Sequence, residues 1–212
     1  MTTTYDRYLG LDRRANVVQR ATLANDIPAI PMRVLKALQL GMDEDGTRPG
    51  LHGIYFEVSD ERTVFLSATN GHSLIVVELG EPSLARIGME GMAGLICGES
   101  VRDHVKNKGF TPLQLSDAEY PDVRTVVPDM LDKIDWWKAG TPPPLLGLNG
   151  KYVDLFGRVL RHLGRTKMNS PIVMHQTAPL SPMLFTHEAD PDNKSVPGFK
   201  GMIFLLMPMR LD

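Results

Sequence analysis

Cysteine is almost absent. Cys97 stands alone in 212 residues, so no internal disulfide can form and a thiolate zinc site has no basis, which fits a reducing, cytosolic compartment. No sign of charge dominates either. The 23 Lys and Arg against 25 Asp and Glu leave a formal net charge of −2, so no global basic field announces nucleic acid, although a basic stripe can sit within an acidic remainder. Long apolar runs are missing. The start, Met1-Thr2-Thr3-Thr4-Tyr5-Asp6-Arg7, has no signal-peptide core, and no segment approaches a bilayer span, so no membrane contact is expected. Catalytic signatures are missing as well. His52, His72, His104, His162, His175 and His187 show no metal-ligand spacing with a carboxylate. There is no HExxH, no CxxC, no phosphate-cradling Gly loop with a lysine and no G-x-S-x-G turn. Asp43/Asp45 and Asp190/Asp192 are loop acids of the ordinary solvated kind. No catalytic residue, cofactor or metal is expected. A nuclease would need an acid cluster that the chain does not offer, so the residues favour a binding protein over an enzyme.

What is present is globular. An apolar fraction of 42% and a charged fraction of 23% suit one large domain or two small ones. Residues 1–27 are polar and weakly periodic, and read as an extension with some helix. Pro31 then suits a first helical position, Val34, Leu35 and Leu38 make an apolar face, and Gly41 is a natural stop. Three strand-like runs follow, Gly53–Val58, Val64–Thr69 and Ser73–Leu79. Asp60-Glu61 and the strong hairpin signal Asn70-Gly71 punctuate them. A shorter unit has a strand at Ala93–Cys97, a helix at Ser100–Lys106 with Ser100 as its N-cap, a strand at Thr111–Leu115 and a turn at Tyr120–Arg124. Thr141-Pro142-Pro143-Pro144 is a stiff spacer. Beyond it the spacing predicts a strand at Leu145–Leu148, a helix at Lys151–Leu163 and strands at Ile172–Gln176, Met183–His187 and Gly201–Leu206, with a loop at Ala189–Lys200. A βαβββ order thus appears near both ends, with a contracted copy between them.

Two surfaces stand out. The chain closes on Met207-Pro208-Met209-Arg210-Leu211-Asp212 directly after Met202–Leu206. Apolar residues past a strand either tuck into the core or form an adaptable partner-binding surface. On the helix Lys151–Leu163, Tyr152, Leu155, Phe156, Val159, Leu160 and Leu163 form an apolar face. Lys151, Arg158 and His162 recur on another, with Arg161 flanking them and Arg165 and Lys167 just beyond. Such a stripe is either a solvated helix face or a phosphate-facing surface that binds duplex backbone without reading sequence.

Three segments, taken in order, resemble the bacterial β sliding clamp, the processivity subunit of DNA polymerase III. Leu66-Ser67-Ala68-Thr69-Asn70-Gly71-His72-Ser73-Leu74 resembles the family's A-T-D-G-H-R-L turn. Tyr120-Pro121-Asp122-Val123-Arg124-Thr125-Val126-Val127-Pro128 resembles its F-P-D-Y-R-x-V-x-P segment. Met207-Pro208-Met209-Arg210-Leu211 matches its M-P-M-R-L terminus. The resemblance implies an α+β DNA-clamp fold built from βαβββ units, with helices on one face of curved antiparallel sheets. It divides the chain into an extension over 1–27, a shortened middle-domain-like unit over 28–130 and a shortened last-domain-like unit over 131–212. It implies a groove for clamp-binding peptides of polymerases or repair proteins, carried here by Thr69, Gly71, His72, Leu74, Pro121, Arg124, Val126, Met207, Pro208, Met209 and Leu211. It implies duplex DNA against Arg33, Lys36, Lys151, Arg158, Arg161, His162 and Arg165, a homo-oligomer, and a clamp loader as a further partner. A peptide-binding module of the same fold that does not encircle DNA is the alternative. The chain departs from the family pattern in length, in Asn70 for an acid, in Ser73 for an arginine, and in Asp212 after the terminal leucine.

Overall fold

The computed structural model describes residues 4–10, 19–59, 61–80, 85–126, 149–164, 173–175, 182–189 and 196–207. Among them the elements run α1 (Thr4–Gly10), β1 (Gln19–Arg20), α2 (Met32–Gln39), β2 (Gly53–Val58), β3 (Val64–Thr69), β4 (Ser73–Leu79), β5 (Met92–Cys97), α3 (Gly98–Lys106), β6 (Leu115–Ser116), α4 (Gly150–His162), β7 (Val173–His175), β8 (Met183–Glu188) and β9 (Phe199–Leu206). The strands form one open sheet in the order β1-β5-β2-β3-β4-β9-β8-β7, with β6 on β5. Every pairing is antiparallel except the two-residue contact of β1 with β5.

The three strands read from β-former runs, β2 to β4, stand at the expected residues. Alternation sorts their side chains between two faces. Ile54, Phe56, Leu66, Ala68, Ile75 and Val77 enter the main core with Met202, Phe204 and Leu206 of β9. Helices α2, α3 and α4 cover that face with Val34, Leu35 and Leu38, with Val101, and with Leu155, Val159 and Leu160. Each large side chain buried this fully contributes about 1.5–3 kcal/mol. Phe65, Leu74, Val76, Leu184, Ile203 and Leu205 point the other way, into a second cluster closed by Tyr5 and Tyr8 of α1. The extension therefore supplies a short helix on the face opposite the helix layer.

Two local expectations shift. Ser100 is not the N-cap of α3. The helix starts at Gly98, with Cys97 as N-cap. The Ser100 hydroxyl instead donates to Cys97 O at 2.8 Å and accepts from the Gln114 amide at 3.0 Å. The expected strand Thr111–Leu115 shrinks to Leu115–Ser116, because Pro112 inside that run has no N–H for a ladder. The expected strand Leu145–Leu148, the spacer Thr141–Pro144, the boundary at 130/131 and residues 190–195 of the Ala189–Lys200 loop lie outside the described residues.

Strand β4 also pairs with β9, antiparallel. Its register places Ser73 opposite Leu206 and Leu74 opposite Leu205. The start of the β3–β4 hairpin is thereby fixed beside the end of β9.

Candidate functional site

The Asn70-Gly71 turn is held by its own side chains. Asn70 Oδ1 accepts from the His72 and Ser73 amides at 3.0 Å each and from Ser73 Oγ at 3.2 Å. An amide oxygen thus does the capping work of a carboxylate without its charge. Thr69 Oγ1 donates to Ser73 O at 2.8 Å and accepts from the Gly71 amide at 3.1 Å. Gly71 takes φ +85°, a backbone state that a side chain disfavours.

Arg48, which the sequence reading did not single out, ties this turn to its surroundings. Its Nη2 donates to Asn70 O at 2.8 Å and to Asp43 Oδ1 at 2.7 Å. Arg48, Pro49, Gly50 and Leu51 then form one wall of an open cleft of about 380 Å³, and Glu119, Tyr120, Pro121 and Asp122 form the other. A Cβ on Gly50 would come within 2.2 Å of Glu119 O, so glycine permits this close approach.

The second segment is anchored from below. The Tyr120 ring stacks on Tyr55 at 4.8 Å with an interplanar angle of 6°. Arg124 pairs with the buried carboxylate of Glu57, and its guanidinium lies 5.2 Å from the Tyr8 ring centroid. Burial pushes the Tyr55 hydroxyl up to about 12 and raises those of Tyr8 and Tyr120 further. These phenols stay neutral at physiological pH, as packing groups rather than acids or bases.

The third segment arrives through the sheet. The Met207 amide donates to His72 O at 3.0 Å, and the Met207 side chain is 39% exposed. The His72 ring lies 5.8 Å from that of Tyr152 on α4. Of the expected groove residues, the structure places Thr69, Gly71, His72, Leu74, Pro121, Arg124 and Met207 on three adjoining segments. Thr69 and Leu74 are buried. The side chain of Val126 and the residues Pro208, Met209 and Leu211 lie outside the described residues.

The basic residues gather on the helix layer. Helix α2 packs between α3 and α4. Arg33, Lys36, Lys151, Arg158 and Arg161 are exposed there and His162 is half-buried. Burial, followed by the positive charges of Lys36, Arg158, Arg161 and Arg33, holds the His162 imidazole below its usual value. One histidine thus senses cations from two helices. Lys151 sits at the opposite end of α4, whose start is capped by Asn149 Oδ1 accepting from the Lys151 amide at 2.9 Å. Arg165 lies outside the described residues. Among the described residues no cluster of three or more His, Cys, Asp or Glu side chains has the placement to hold a metal ion, and no helix is long and apolar enough to cross a membrane.

No protein-family model matches the sequence, and no curated protein matches it. Solved structures do match, and they are bacterial sliding clamps. The Helicobacter pylori beta clamp in complex with carprofen aligns with a TM-score of 0.59 at 15% identity, over 87% of this chain and 65% of that one. A sliding clamp (DNA polymerase III subunit beta) from Bartonella birtlesii, bound to griselimycin, gives 0.57 at 18% identity, over 85% and 64%. The Caulobacter crescentus pol III beta gives 0.56 at 16% identity, over 90% and 65%. The chain spans about 65% of the length of the solved structures it matches, and at these identities the likeness establishes the fold.

Proposed function

We propose that this chain, which has the fold of the bacterial sliding clamp in shortened form, serves DNA replication as a non-catalytic processivity or recruitment factor. It binds clamp-binding peptides of polymerase or repair proteins in the groove between the Asn70-Gly71 hairpin, the Tyr120–Arg124 turn and Met207. It faces duplex DNA without sequence preference through the helix layer. The observation that carries this reading is the bond from the Met207 amide to His72 O. It joins the tail to the hairpin, while Arg48 joins the hairpin to the cleft at Tyr120 and Pro121. An open cleft of this size, lined by Pro49, Leu51, Tyr120 and Pro121 together with Arg48, Glu119 and Asp122, suits a short extended peptide with bulky apolar anchors. Burying two or three such anchors contributes several kcal/mol, about 1.5–3 each, and ordering costs reduce the net to roughly micromolar affinity.

Fluorescence anisotropy with a labelled clamp-binding peptide from a polymerase tests the groove. We expect saturable binding that Met207→Glu weakens at least about tenfold, the equivalent of about 1.4 kcal/mol. Absence of saturable binding, or indifference to Met207→Glu, contradicts the reading. A second reading, a peptide-binding module that does not encircle DNA, draws on the edges of the sheet. Among the described residues the outer strands β1, β6 and β7 have two or three residues each, and short edges resist pairing with another chain.

A further inference from the structure

Helix α1 is built onto the sheet by its side chains. Tyr5 and Tyr8 are 3% and 4% exposed, in one cluster with the outward residues of β3, β4, β8 and β9. Arg7 Nε and Nη2 donate to the two oxygens of Glu78 at 2.6 and 2.7 Å, a bidentate pair onto a carboxylate that is itself buried. The Thr4 amide and hydroxyl donate to the two oxygens of Glu188 at 2.8 and 3.1 Å. Gly201 lies directly beneath, where a Cβ would come within 2.3 Å of Thr4 Oγ1.

Two contacts join this surface to the candidate groove. Leu74 belongs to the groove hairpin and also to the apolar cluster that Tyr5 and Tyr8 close. Arg124 belongs to the groove turn, and its guanidinium sits by the Tyr8 ring. The main core between sheet and helix layer contains neither tyrosine. A seven-residue helix is far below the length of about 12–15 residues at which isolated helices become marginally stable. Its order therefore comes from docking, and release leaves the main core whole.

We propose that the α1 surface is a continuation of the partner-binding site and that α1 is its resident self-ligand, which an incoming clamp-binding segment displaces. This rests on the groove reading above. The chemistry of the vacated surface specifies the segment it accepts: two bulky apolar side chains three residues apart, as in Tyr5 and Tyr8, with an arginine between them to meet Glu78. A docked form populated to roughly nine-tenths lowers apparent partner affinity about tenfold.

The test compares the full chain, an Arg7→Glu chain and a chain lacking residues 1–10. Arg7→Glu places a carboxylate against Glu78 and expels α1 while keeping every apolar residue, which guards against a folding failure of the deletion. The probes are a labelled peptide of residues 1–12 and the labelled clamp-binding peptide. We expect the 1–12 peptide to bind the deleted chain saturably and Glu78→Gln in that chain to weaken it. We expect the clamp-binding peptide to bind both altered chains about tenfold tighter than the full chain, and unlabelled 1–12 peptide to displace it. Equal affinity for all three chains overturns the competition and leaves the groove reading standing. No clamp-peptide binding by any of the three refutes the groove reading itself, and the competition with it.

Discussion

Glu57 and Arg124 frame the residue scale. Glu57 is 7% exposed and Arg124 pairs with it beside the buried ring of Tyr8. Removing one partner of a buried pair leaves a charge without compensation, at a cost of about 3–5 kcal/mol. Arg124→Ala is expected to lower unfolding free energy by that order in urea titrations, whereas Arg20→Ala, whose pair with Asp117 is exposed on both sides, is expected to change it little. Equal losses would contradict the anchoring role of Arg124. His162 supplies a pH test. Burial and four nearby cations hold it below the usual imidazole value, so it is neutral at pH 7. Without DNA the unfolded chain takes up the proton first, so this group makes stability fall as pH drops below about 6.5. DNA phosphates favour the charged form. Duplex affinity is therefore expected to rise between pH 7.5 and 5.5, with a salt slope steeper by up to about one unit, and His162→Gln is expected to flatten that change. Affinity that does not depend on pH in the unaltered chain would contradict a DNA-facing His162.

The hairpin and α4 set the element scale. Gly71 adopts φ +85° and a Cβ there would come within 2.8 Å of Arg48 Nη1. Gly71→Ala is expected to cost about 1–2 kcal/mol and to weaken peptide binding through Arg48, measured by denaturation and anisotropy on the same samples. Asn149→Ala removes the cap of α4 and is expected to cost about 1 kcal/mol without changing peptide affinity. These elements were legible in the sequence because their chemistry is local. Asn-Gly specifies its turn, and runs such as Ser73–Leu79 specify strands. Helix α1 was not legible beyond some helix in a polar stretch, because the burial of Tyr5 and Tyr8 depends on a sheet face built from residues 65 to 205. Arg48 was hidden for the same reason. It lies in a polar, Gly-rich loop, and its partners Asp43 and Asn70 are brought together only by the fold.

At the scale of the molecule, the register of β4 on β9 could not be read from either strand alone, since nothing local tells two apolar runs more than 120 residues apart to pair. Resemblance in three short segments pointed to the same convergence by another route, and the groove rests on both. Ring closure requires matched edges at both ends of each subunit. Light scattering is expected to give a protein mass that is a multiple of 23.5 kDa, after the mass of any bound duplex is subtracted, if the chain closes a ring. The single-chain mass, with and without DNA, identifies the module. Amide hydrogen exchange with and without the clamp-binding peptide tests the central claim most directly, because it locates binding on the chain without any substitution. The account predicts new protection at Gly71, His72 and Met207 together with the amides around Asp122–Arg124, and loss of protection in α1. Protection confined to α2, α3 and α4, or none anywhere, would contradict a peptide groove at the junction of β4 and β9.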